Sequence, residues 1–309
     1  MGGAACSRAH LSRACGTDRR RADPLDLGRP GARTVDRARG RRMTAPSWMR
    51  RFTPANLAFL LMNLVGLAFF LYPFWAPVIP AASQSRAALL LFSGAAGLVL
   101  LALIAEAQQG LTLHTIAILG ALVGLNTVLR VIDNVVPLPG GFSPVYLLII
   151  LVGYTLGSRL GFMMGALTML VSGPLTAGGI GPWTPYQMMA AGWVGLGAAW
   201  LPHTRGRLLT LAAYGALWGW AYGALTNLYF WPYAIQAPDL AWQPGLDALQ
   251  TLARYGRFYL VTSLAWDTTA AIGNVILLAF LGSSLLKVLE RFQRRAHVVW
   301  EPVAPAQQV

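Results

Sequence analysis

Arg130 and Asp267 are the ionisable side chains that fall deepest inside the long apolar stretches of this sequence. A charge left in a membrane span costs roughly 2.5 to 3.5 kcal/mol even on the mildest insertion scale, so each calls for a partner or a task. Amides stand nearby in the chain. Asn126 is one helical turn before Arg130, Gln187 opens one apolar stretch, Asn227 closes another, and Asn274 lies two turns after Asp267 on the same helix face. With successive helices running in opposite directions, four helices bring these groups to similar depth in the outward half. A guanidinium, amides and a carboxylate so gathered suit the recognition of a polar solute. The competing arrangement is an internal hydrogen-bond network in which Arg130 pairs with Asp267 or with Asp133. Aromatic residues join them: Trp183 stands in an uncharged loop, Tyr186 follows it, and Tyr229, Phe230, Trp231 and Tyr233 cluster at a helix exit. Trp183 and Tyr186 are expected to stack on a ligand, and Trp231 and Tyr233 to belong to an interfacial aromatic belt.

Other chemistries find little support. The two cysteines, Cys6 and Cys15, lie in an N-terminal tail, away from any apolar stretch. His10, His114, His203 and His297 are far apart and none sits in a metal-ligand spacing, so no metal site is expected. There is no GxxxxGKS or GxxxxGKT segment, so this chain supplies no phosphate-cradling loop for ATP.

The elements that must position these residues are membrane helices. Of 309 residues, 56% are hydrophobic and 11% charged, against about 25% charged in soluble domains. The net charge of +13 is mostly in the tail, where residues 1–53 hold 13 of 24 basic and 4 of 11 acidic residues. That placement argues against a nucleic-acid partner. The tail is rich in Arg, Gly and Pro and is expected to be disordered, with Met43 the expected natural start. A span needs about 20 apolar residues, and the fold class predicted is an all-α integral membrane protein of about eight transmembrane helices. They run near 54–75, 86–106, 112–134, 144–158, 159–174, 185–201, 207–231 and 257–291, with a polar loop at 232–255. Arg50, Arg51, Arg159, Arg205, Arg207, Lys287, Arg291, Arg294 and Arg295 then fall on one side. Arg86, Arg254, Arg257, Asp133, Asp239 and Asp247 fall on the other. The excess of Lys and Arg marks the first side, and both termini, as cytoplasmic in a multi-pass membrane protein.

The stretch 153–202 organises the rest. Gly153, Gly157, Gly161 and Gly165 fall at four-residue spacing, which in lipid lets helix backbones approach closely. An uncharged loop of glycine and proline follows at 172–185, and its bare backbone must cap a bundle or line a cavity. LGSRLGFMMGALTMLVSG followed by GIGPWTPYQMMAAGWVGLGAAW resembles the S-component, the substrate-binding membrane subunit, of energy-coupling-factor vitamin transporters. The likeness is closest over 153–202 and weaker over about 115–290.

The resemblance implies a six-helix substrate-binding core at 111–291, preceded by two additional helices at 54–110 and flanked by cytoplasmic tails at 1–53 and 292–309. It implies a solute site at Asn126, Arg130, Trp183, Tyr186, Gln187, Asn227, Asp267 and Asn274, with loops 133–144 and 173–185 as lids. It implies a vitamin-like ligand, with cobalamin, corrin precursors, thiamin fragments and other small heterocycles all compatible, and no bound cofactor. Its partners would be a coupling transmembrane subunit, contacted through Ala117 and Ala121, and two ATPase subunits. Small residues four apart also serve ordinary helix packing, which is the expectation for Gly215, Gly219 and Gly223. Two other function classes stay open: an intramembrane enzyme with Asp267 as base, and a structural assembly protein.

Overall fold

The computed structural model describes residues 54–75, 113–136, 142–234 and 237–296, with Gly94 and Gly97. The chain divides into two units, Met1–Pro46 and Ser47–Val309, and every described residue belongs to the second. The expected helix at 86–106, apart from Gly94 and Gly97, and both expected tails, apart from 292–296, lie outside the described residues. Among those residues there is no strand and there are eight α-helices. These are α1 (Pro54–Phe70), α2 (Leu113–Val135), α3 (Val145–Leu156), α4 (Ser158–Ser172), α5 (Thr184–Ala198), α6 (Arg207–Phe230), α7 (Ala248–Thr262) and α8 (Leu264–Ala296). Three of them, α2, α6 and α8, are long and apolar enough to cross a membrane. Their outer faces carry bare apolar side chains, among them Leu125, Val128 and Ile132 on α2, Leu217 on α6, and Ile272 and Phe280 on α8.

The tightest packing is backbone on backbone. A Cβ added at Gly195 of α5 would overlap the Gly161 carbonyl oxygen of α4, and one at Gly165 would overlap the Ala191 carbonyl oxygen. Gly153 of α3 meets the same Gly195 carbonyl, so three helices share one seam. This confirms a glycine seam with one change of membership. Gly157 is not in it: its φ of 98° breaks the chain between α3 and α4, a conformation that favours glycine. α3 has ten of its 12 residues buried and is the centre of the bundle.

A second seam joins α6 to α8. Gly215, Gly219 and Gly223 face Asn274, Ala271 and Asp267 in turn, so the two helices are antiparallel and in register. An ion pair between Arg207 and Glu290 closes the far end of this seam. α2 runs parallel to α4, since Asn126 bonds to Thr168 and Arg130 to Ser172. α1 lies antiparallel to α5: Trp193 Nε1 donates to Asn63 Oδ1 at 2.7 Å, and the Phe70 and Tyr186 rings meet edge to face at 5.1 Å.

These pairings give the bundle two ends. The upper end holds the C-termini of α1, α2, α4 and α6 and the N-termini of α3, α5 and α8. Arg159, Arg205, Arg207 and Lys287 lie toward the lower end.

Two expectations are corrected at the upper end. The polar loop at 232–255 and a last helix from 257 are replaced by α7 and α8, separated at Ser263. Asp267 therefore stands in the first turn of α8, not some 15 Å below a helix start. Trp231 is no belt residue but fully buried, with Tyr255 and Phe258 of α7 against it and its indole donating to the Leu240 carbonyl at 2.8 Å. Its burial depends on α7, which seats an amphipathic face against the end of α6.

Gly195→Ala should lower stability by about 3 kcal/mol, the upper end of the usual overpacking cost, because the new methyl meets rigid backbone. Gly120→Ala on α2, where a Cβ meets nothing within 4 Å, should leave it unchanged or slightly raised. Thermal unfolding of the two variants in detergent, followed by tryptophan fluorescence, checks both.

Candidate functional site

The two charges that fall within apolar stretches of the sequence lie at the same end of the bundle, each in its own cluster. Arg130, half-buried near the upper end of α2, donates from Nη1 to Ser172 Oγ at 2.6 Å and from Nη2 to Gln187 Oε1 at 3.2 Å. Register explains this meeting. The α4/α5 seam, continued upward from Gly165 and Ala191, puts Ser172 opposite the start of α5 and within a turn of Gln187. Asn126, one turn below, is fully buried and donates to the Val145 carbonyl at 3.1 Å and to Thr168 Oγ1 at 3.2 Å. Its Oδ1 has no partner. Among the described residues Arg130 makes no ion pair, so the expected alternatives of pairing with Asp267 or Asp133 are not what this side chain does.

Asp267 occupies the other cluster. Its carboxylate lies directly against Gly223, where any side chain on α6 would collide with it. Its Oδ2 is buried without a hydrogen-bond partner. Tyr259 of α7 is its polar neighbour; burial first, and then the Asp267 carboxylate, pushes the Tyr259 hydroxyl above its ordinary range. Asn227 sits one turn further up α6 and donates to Ser263 Oγ at 2.7 Å, in the register of the α6/α8 seam. Asn274 belongs to that seam and not to this cluster: it is buried and donates to the Gly215 carbonyl at 2.9 Å.

Tyr146 and Tyr222 stand between the clusters, and the sequence reading missed both. Their ring centroids are 5.0 Å apart. Arg130 acts electrostatically on both rings and Asp267 on Tyr146. Each tyrosine is half-buried and keeps some accessible surface. Signals for them existed: Tyr146 opens α3 as Tyr186 opens α5, and Tyr222 adjoins the glycine that seats Asp267. Ser172 was invisible because serine at a helix end is ordinary.

An aromatic cluster stands beside these residues. Tyr186 stacks on Tyr229 at 4.1 Å and 10°, and the Tyr72 hydroxyl donates to the Tyr229 carbonyl at 2.5 Å, which ties the end of α1 to the end of α6. Trp183 is half-buried just before α5, with its ring folded over Gly181 of its own loop. It thus lies at the same end as Asp267. Ala117 and Ala121 are exposed near the lower end of α2, beside Gly120 and Gly124, which have open space where a Cβ would stand. No cluster of metal-ligating side chains is present among the described residues.

The chain matches no family model, no curated protein and no solved structure.

Gly223→Ala should destabilise the chain by about 1 to 3 kcal/mol through the collision with Asp267. In Gly223→Ala/Asp267→Ala the methyl gains room, so the double variant should lose less than the two single losses added. Denaturation midpoints of the four proteins in a double-mutant cycle give the coupling.

Proposed function

We propose that this chain is a multi-pass membrane protein that captures a vitamin-like solute at its upper end. In this reading it is the substrate-specific subunit of an ATP-driven uptake system, similar to the S-component of an energy-coupling-factor transporter. The observation that carries the reading is the convergence of Arg130, Gln187, Tyr186, Asn227 and Asp267 on one end of an apolar bundle. Intramembrane polar groups so gathered mark a site or a pathway. Tyr146 and Tyr222, half-buried and in mutual contact, lie within electrostatic reach of Arg130 and offer aromatic faces to a solute.

The lower end supports the orientation. Arg159, Arg205, Arg207 and Lys287 gather there, and such an excess belongs on the cytoplasmic side, which turns the site outward. Energy comes from elsewhere, because the chain has no ATP-cradling loop. A coupling transmembrane subunit and two ATPase subunits fill that role. Ala117 and Ala121 suit contact with the coupling subunit, since their face of α2 is open and small side chains let a second helix approach closely.

Equilibrium binding of a vitamin panel that includes cobalamin and thiamine, to the purified chain in nanodiscs, tests the reading. Saturable binding of at least one member is expected, and failure of all members to bind refutes it. Ala117→Leu/Ala121→Leu should abolish co-purification with the coupling subunit while unfolding temperature and solute binding stay unchanged. Loss of the folded bundle in that variant would instead assign the two alanines to internal packing.

A further inference from the structure

The upper end holds two opposite charges that avoid each other. Arg130 is satisfied only by the neutral groups of Ser172 and Gln187, and Asp267 keeps a buried oxygen with no donor. Each is fixed by packing: Arg130 by its two hydrogen bonds, Asp267 by its seat on Gly223. The rings of Tyr146 and Tyr222 are in mutual contact and partly accessible, with Arg130 in electrostatic reach of both and Asp267 of Tyr146.

A neutral heterocycle would leave both charges uncompensated in a low-dielectric site, where an unpaired buried charge is costly. A solute with one charge would compensate one and leave the other. Resting on the solute-capture reading above, we propose that the site takes a dipolar solute. Its anionic group, a carboxylate or phosphate, is held by the Arg130 guanidinium, its cationic group by the Asp267 carboxylate, and a flat segment lies against Tyr146 and Tyr222. Arg130 suits the anion because its planar fork presents paired donors to carboxylate or phosphate oxygens. The free Oδ2 of Asp267 is an acceptor still to be filled by an N–H donor. Specificity follows from the same feature, since a compound lacking either group leaves a buried charge unpaired.

The test uses matched compounds on the full chain in nanodiscs: pyridoxamine phosphate against pyridoxamine, which lacks the anion, and pyridoxine phosphate, which lacks the amine. Thiamine monophosphate against thiamine repeats the comparison on a second ring. Each dipolar member that binds should do so about tenfold to a hundredfold more tightly than its one-charge relatives, the range of a charge-assisted hydrogen bond gained or lost. Arg130→Gln should erase the preference for the phosphate, so that pyridoxamine phosphate binds no more tightly than pyridoxamine. Asp267→Asn should erase the preference for the amine, so that pyridoxamine phosphate binds no more tightly than pyridoxine phosphate. The selectivity of the unsubstituted chain decides the matter even if a variant fails to fold. Binding of cobalamin or another panel member, with dipolar compounds no better than their relatives, overturns this inference and leaves solute capture standing. No binding by any compound overturns both.

Discussion

Contact of backbone with backbone between α4 and α5 is the constraint from which the rest of the bundle follows. Where Gly161 faces Gly195 and Gly165 faces Ala191, no side chain separates the helices. Their register cannot slip without driving a methyl or larger group into a carbonyl. In lipid, where apolar side chains gain little by leaving the solvent, close packing of this kind is a main source of helix association. The seam fixes Ser172 near Gln187, and those two acceptors in turn fix Arg130. A second seam does the same for Asp267, because facing positions continue from Gly215 through Gly223 to the Asn227 and Ser263 hydrogen bond. The glycines are thus the means by which the polar residues reach their places.

The electrostatic consequence is a site with charge left over. The two charge-assisted hydrogen bonds of Arg130, about 1.5 to 3 kcal/mol each, offset much of the cost of its placement, whereas Asp267 keeps a buried oxygen with no donor. An ion pair between Arg130 and Asp267 would lessen that cost. It is absent, and the half-buried Tyr146 senses both groups electrostatically. Under the function proposed above, the missing compensation is the solute.

Much of this was legible in the sequence because it is written in helical period and in cost. Glycines four apart on 153–165 and 215–223 announced close helix approach, and charged or amide residues in apolar stretches announced their own convergence. What was hidden depends on tertiary contact. The run through Tyr259, Leu260, Val261 and Thr262 to Trp266 contains no proline or glycine and reads as one helix. Its break at Ser263 coincides with the hydrogen bond from Asn227, an element away. Without that break α7 could not be foreseen, and without α7 Trp231 resembled an interfacial aromatic instead of the anchor of a small second core. Gly157 kept the spacing of the seam and yet serves as its turn, since spacing does not reveal a φ of 98°.

The central claim is that the polar upper end encloses a space open to the outer side. It is tested most directly by thiol accessibility at Tyr222, in a chain whose Cys6 and Cys15 are replaced by serine. Tyr222→Cys should react with a small membrane-impermeant methanethiosulfonate reagent added to intact cells. Leu278→Cys, at a fully buried position further along α8, should not react. Equal inertness of the two cysteines would mean that solid packing fills the ground between Arg130 and Asp267, and would contradict the account.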